Sequence, residues 1–140
     1  MKIKNFVRAA TFSLIAMTIV GCARPTPYQR FDIFGRGGYQ ETRIANDTYE
    51  VVYYGNGATS TDTLNALLLY RSAEVTLDQT YQYFEVVKGK VRMPLSPMGG
   101  FRTAEHTIKM YKRENEPHGP NFYNAKKVVH DFKDSVSAQK

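Results

Sequence analysis

The stretch TYEVVYYGNGATSTDTLNALLLY, residues 48–70, changes its hydrophobic period halfway along. From Thr48 to Gly55 the side chains alternate. Tyr49, Val51 and Tyr53 share one face and Glu50, Val52 and Tyr54 the other, which is the two-residue period of a strand. Gly55 and Gly57 then break the ladder. Thr59, Ser60 or Thr61 can cap a helix, and Asp62 suits its positive end. Beyond them Leu64, Leu67, Tyr70, Leu77 and Tyr81 recur at helical spacing, widened by Leu68 and Val75. The pattern predicts a helix from Thr61 to Gln82, with a stripe wide enough to lie across a sheet.

Outward from this pivot the chain supplies the rest of that sheet. Upstream, GYQETRI (38–44) reads as a strand. Asn46 and Asp47 give the turn chemistry of a hairpin. Downstream, 83–91 reads as a third strand, 93–100 as a loop with two prolines and two glycines, and 102–114 as a fourth strand. After the break at 115–120, Phe122, Ala125, Val129, Phe132 and Val136 mark a second helix, with Asn121 as its cap. The predicted fold is α+β: a two-layer domain with an antiparallel sheet of about four strands and both helices on one face, in ββαββα order. Its expected span is residues 38–136, with a tail at 137–140.

The N-terminus has a different character. Lys2, Lys4 and Arg8 precede a run from Ala9 to Val20 with no charge and no helix breaker, and Gly21 and Ala23 flank Cys22. This is the order of a secretory signal over residues 1–21. The twelve-residue run is short for a membrane span, which takes about 20 residues. Removing the signal lowers the formal charge from +6 to +3. What remains, such as Lys109, Lys112 and Arg113, forms no dense basic stripe, so nucleic acid is not an expected partner. Residues 22–37 read as a tether. Pro25 and Pro27 favour an extended path, while Phe31, Ile33 and Phe34 suit docking as an edge strand.

Cys22 is the single cysteine of the 140-residue chain, so an internal disulfide is excluded. It can be read as a nucleophile, a partner in an intermolecular disulfide, a buried filler or an attachment point. Ile19-Val20-Gly21-Cys22 resembles the bacterial lipobox, in which an aliphatic residue precedes a small residue and a cysteine. That resemblance implies cleavage between Gly21 and Cys22 and lipidation of Cys22, the covalent lipid being the only group the chain is expected to carry. Two or more acyl chains anchor stably where one is marginal. Ala23 in place of Asp resembles the outer-membrane class, facing the periplasm.

Other motifs are weaker. The glycine loop at 55–62 lacks the Gly-Lys-Ser/Thr end of a P-loop and the third glycine of a dinucleotide loop, and reads as a strand exit with a helix cap. Arg71 and Glu74 lie one helical turn apart, with Glu74 inside the apolar stripe. They read as a structural ion pair, or less readily as a catalytic acid needing a histidine or second carboxylate. His106, His118 and His130 have no metal-ligand spacing, and no metal is expected. Tyr39, Tyr49, Tyr53 and Tyr54 are candidates for an interaction surface, with packing on the covered face as their plain alternative.

The mature domain resembles a family of small proteobacterial lipoproteins. The matching residues are Gly38-Tyr39-x-Glu41-Thr42, Tyr49-x-Val51-x-Tyr53-x-Gly55-Asn56, Leu69-Tyr70-Arg71-x-Ala73-Glu74-x-Thr76-Leu77, Tyr83-Phe84 and Tyr123-x-Ala125. The resemblance implies localisation and domain boundaries, but no cofactor or catalytic residue. The expected role is a non-catalytic envelope structural or interaction module, with envelope proteins or cell wall as partners. The alternative is a periplasmic domain binding a small ligand or cell-wall fragment, and an enzyme comes third.

Overall fold

A computed structural model describes residues 24–32, 34, 36–94 and 100–139. The signal segment, Gly21, Cys22, Ile33 and loop residues 95–99 lie outside them. Among the described residues there are five strands and two helices: β1 (Gly38–Ala45), β2 (Thr48–Gly55), α1 (Thr61–Asp78), β3 (Tyr83–Arg92), β4 (Arg102–Tyr111), β5 (Phe122–Asn124) and α2 (Ala125–Ser137). The fold is α+β, with one open antiparallel sheet in the order β1-β2-β4-β3-β5. α1 packs across β2, β4 and β3, while α2 packs on α1 and β5.

Four expectations need correction. The sheet has five strands, because Phe122–Asn124 is extended and pairs with Tyr83–Glu85 instead of opening the last helix. Asn124 therefore caps α2, its side chain accepting from the Lys127 N–H, in place of Asn121. α1 ends at Asp78, one turn short of Gln82. Thr80 has a φ of 65°, and the Gln82 N–H already donates to the Tyr111 carbonyl of β4, so the chain has left the helix for the sheet. β4 likewise stops at Tyr111.

The strand pleat decides what is inside. Tyr49, Val51 and Tyr53 of β2 and Ala104, Ile108 and Met110 of β4 face the helices. They meet Leu64, Leu67 and Leu68 of α1, with Phe84 of β3 and Val128 and Val136 of α2 closing the core. Each large apolar side chain buried this way contributes about 1.5–3 kcal/mol. Ser60 caps α1 by accepting from the Thr63 N–H.

The expected tether is shorter than residues 22–37, because the chain from Thr26 onward packs on the domain. Thr26 is fully buried, its N–H donating to Thr59 Oγ1 at 2.9 Å. The Tyr53 hydroxyl donates to the Pro27 carbonyl at 2.9 Å. Gln29 and Phe31 hydrogen-bond both sides of Tyr39, and Arg30 forms a parallel bridge to it. Gly38 permits this approach: its φ is 123°, and a Cβ there would lie 2.4 Å from the Gln29 carbonyl oxygen. The tail is also engaged, since Ser137 ends α2 and the Gln139 carbonyl accepts from the Tyr28 N–H.

Candidate functional site

The most chemically specific cluster lies where α1 crosses the β1 edge. Glu41 faces the helix layer because it sits opposite Val51, and Tyr39 does so because it sits opposite Tyr53. Arg71 descends from α1 onto them. Its Nη1 donates to Glu74 Oε2 at 2.8 Å, its Nη2 donates to Glu41 Oε1 at 3.1 Å, and its Cζ stands 4.3 Å from the centre of the Tyr39 ring. Asp78 Oδ2 is 3.9 Å from the same Nη2. From the N-terminal segment, the Tyr28 hydroxyl donates to Glu74 and the Arg30 guanidinium pairs with Glu41. Arg71 and Glu41 expose only 12% and 14% of their side chains.

Charges this deep persist only with partners. Burial opposes the charge of Arg71, but Glu74 and Glu41 outweigh it and hold the guanidinium firmly protonated. Burial, then the hydrogen bond to Glu74, raises the Tyr28 hydroxyl well above the usual phenol range, so it stays a donor. Tyr70 is raised by burial first and then by the negative charge of Glu74. Glu41 Oε2 and Arg71 Nε lack hydrogen-bond partners among the described residues. They are an acceptor and a donor on groups already paired through their neighbouring atoms. A shallow cavity of about 280 Å³ opens beside Glu41, lined also by Arg30, Phe31, Tyr39 and Gln40.

The other predicted residues separate. Tyr53 and Tyr49 are buried under the helices and Tyr39 packs at the edge of the same core. As a correction, Tyr49 and Tyr53 are not part of an accessible surface, whereas Tyr39 is partly buried and lines the cavity beside Glu41. Tyr54 points to the opposite face, against Phe31 and Phe101. His106 lies under α1, with Nδ1 3.3 Å from Ser72 Oγ. Burial pushes its imidazole down to about 4, so it is neutral at pH 7. Ser72 is fully buried and donates to the Leu68 carbonyl, and no carboxylate among the described residues hydrogen-bonds His106, so the pair lacks the parts of a nucleophilic triad. His118 stacks on Phe122 at 3.6 Å, while His130 is exposed beside Asp131. No group of metal-ligating side chains occurs among the described residues. The glycine loop is closed by its own residues: Asn56 Oδ1 accepts from the Ala58 N–H and the Thr59 hydroxyl.

Sequence reasoning paired Arg71 with Glu74 but missed Tyr28 and Glu41 as their partners. The signal for Glu41 was a carboxylate at a face-inward position of β1. Tyr28 carried none, since it stands in what reads as tether. Tyr39, Glu41, Tyr70, Arg71 and Glu74 converge here. Searches against family models, curated proteins and solved structures found no match to this chain.

Proposed function

We propose that the protein is a lipoprotein, anchored through Cys22 to the outer membrane and facing the periplasm, whose α+β domain is a non-catalytic structural or interaction module. The observation that carries this is the order at the N-terminus: three cations, an apolar run too short to span a bilayer, then Ile19-Val20-Gly21-Cys22. Among the described residues no helix is long and apolar enough to cross a membrane.

Two features of the domain support a binding role without chemistry. Glu74, the carboxylate most open to a catalytic reading, has both its hydrogen bonds from Tyr28 and Arg71, which makes it a counter-ion. Among the described residues β3 has an open edge beyond Val86, since β5 pairs with Tyr83–Glu85 and the Asn121 carbonyl accepts from the Val86 N–H, and Val87, Val91 and Met93 are exposed along or just beyond the remainder. Such an edge suits strand addition by a partner. A second reading, binding of a small ligand, is favoured by an apolar groove of about 400 Å³ lined by Leu69, Phe122, Tyr123, Val128 and Phe132.

The mass of the mature N-terminus tests the anchor. A chain beginning at Cys22 with diacylglycerol and an acylated amine is expected, and an unmodified cysteine or an intact signal overturns it. Crosslinking in envelopes, with Cys22→Ser as control, tests the module: a specific partner captured only from the anchored form is expected.

A further inference from the structure

We propose that the end of the domain where the N-terminal segment enters rests directly on the bilayer, with Phe34 and Met93 in the interfacial zone. This inference builds on the lipid anchor proposed above.

The chain is locked to the domain almost at once after Cys22. Asn56 Nδ2 donates to the Arg24 carbonyl at 2.8 Å, and the Asn56 N–H donates to the Thr26 hydroxyl at 2.8 Å. Thr26 is itself fully buried. The four residue steps from Cys22 to Thr26 reach at most about 14 Å. An anchored Cys22 therefore leaves no room for a free spacer between lipid headgroups and protein.

The elements that meet at this end follow from the register. β1 begins there, with Gly38 opposite Tyr54, and β2 ends there, with Gly55 opposite Arg102 at the start of β4. β3 ends there as well, with Arg92 opposite Thr103. Phe34 is 86% exposed in the turn between Asp32 and Gly37, which leads into β1. Met93, 55% exposed, follows Arg92. Two apolar side chains left in solvent beside a lipid attachment point are what interfacial seating needs. Arg24, Arg36 and Arg92 are exposed in the segments that meet at this end, and their long stems let the charge reach the phosphates while the methylenes stay at the apolar boundary. Carboxylates toward this end include Asp32, 4.0 Å from Arg36, Glu105, 3.4 Å from Arg92, Asp62 in the first turn of α1 and Asp134 in the last turn of α2. The apolar contact and the short connection thus do more than net charge. Ile44, 58% exposed near the β1–β2 turn at the far end of the sheet, is the internal control.

The chain contains no tryptophan, so single Phe34→Trp and Ile44→Trp variants each report one place. Both positions are exposed, and circular dichroism checks that each variant folds. The lipidated protein is reconstituted in phosphatidylethanolamine–phosphatidylglycerol vesicles with brominated acyl chains. An interfacial side chain sits about 5–10 Å into the headgroup boundary, so Phe34→Trp is expected to shift to the blue and quench at least roughly twofold more than Ile44→Trp. Met93→Trp should follow Phe34→Trp. Equal quenching at both ends of a protein whose mass shows a lipidated Cys22 overturns the seating alone. An unmodified Cys22 overturns the seating together with the anchor.

Discussion

At the β1 edge, residues 29–31 lie beside Tyr39 and extend the ladder, and beneath them Arg71 sits between Glu41 and Glu74. Along β3, the stretch Val87–Arg92 has β4 on one side and no strand on the other among the described residues. The two edges deal with polar groups in different ways. Near β1 the charges are kept and each is given a partner. Near β3, His106 opposite Gly89 is discharged by burial, while Lys88, Lys90 and Arg92 stay exposed. A closed edge has to satisfy what it covers. An open one needs only charges that discourage unwanted pairing.

The strongest way to break this contrast is Arg71→Ala, which leaves two carboxylates without their shared cation. A loss of about 3–5 kcal/mol is expected in urea unfolding, and a loss under about 1 kcal/mol would show the cluster to be solvated.

His106 gives the next effect. Its folded pKa, about 4, lies below the ordinary 6.5. The unfolded chain therefore takes up a proton first as pH falls. The stability from its neutral burial is intact above about 6.5 and is lost progressively down to about pH 4, by about 3 kcal/mol in all. Thermal unfolding across that window should fall for the wild type, and His106→Leu should remove this component of the slope.

Tyr28→Phe deletes one donor to Glu74 and leaves the ring packing intact. Glu74 is partly wet, so about 1 kcal/mol is expected from the shift in urea midpoint at unchanged slope. The smallest effect belongs to the open edge. Val91→Thr should change stability by no more than about 0.5 kcal/mol. A Lys88→Val, Lys90→Val double variant should unfold at nearly the same temperature but aggregate faster on light scattering. If the double variant stays as soluble as the parent, those lysines are not what guards β3.

Much of the fold could be read from periodicity because the core elements obey it. Tyr49, Val51 and Tyr53 point inward at the period of two, and Leu64, Leu67 and Leu68 at the helical one. Where the reading failed, a long-range partner overrode a local pattern. Phe122 fits a helical stripe with Ala125 and Val129, yet pairing with Glu85 pulls it into β5. Pro25 and Pro27 look like spacer chemistry, yet Thr26 and Tyr28 find partners at Thr59 and Glu74 from distant segments.

The candidate site divides the same way. Arg71 and Glu74 meet because a helical turn brings residues three apart together, which sequence spacing states outright. Alternating strands, the apolar stripes of the helices and the signal-like order around Cys22 are equally local, set by side-chain period and composition. Glu41, Tyr28 and Tyr39 reach Arg71 only because the sheet register places β1 under α1 and the N-terminal segment beside β1. Such contacts join residues about thirty and more positions apart, and no local rule encodes them. They form because a buried guanidinium must find carboxylates wherever packing supplies them.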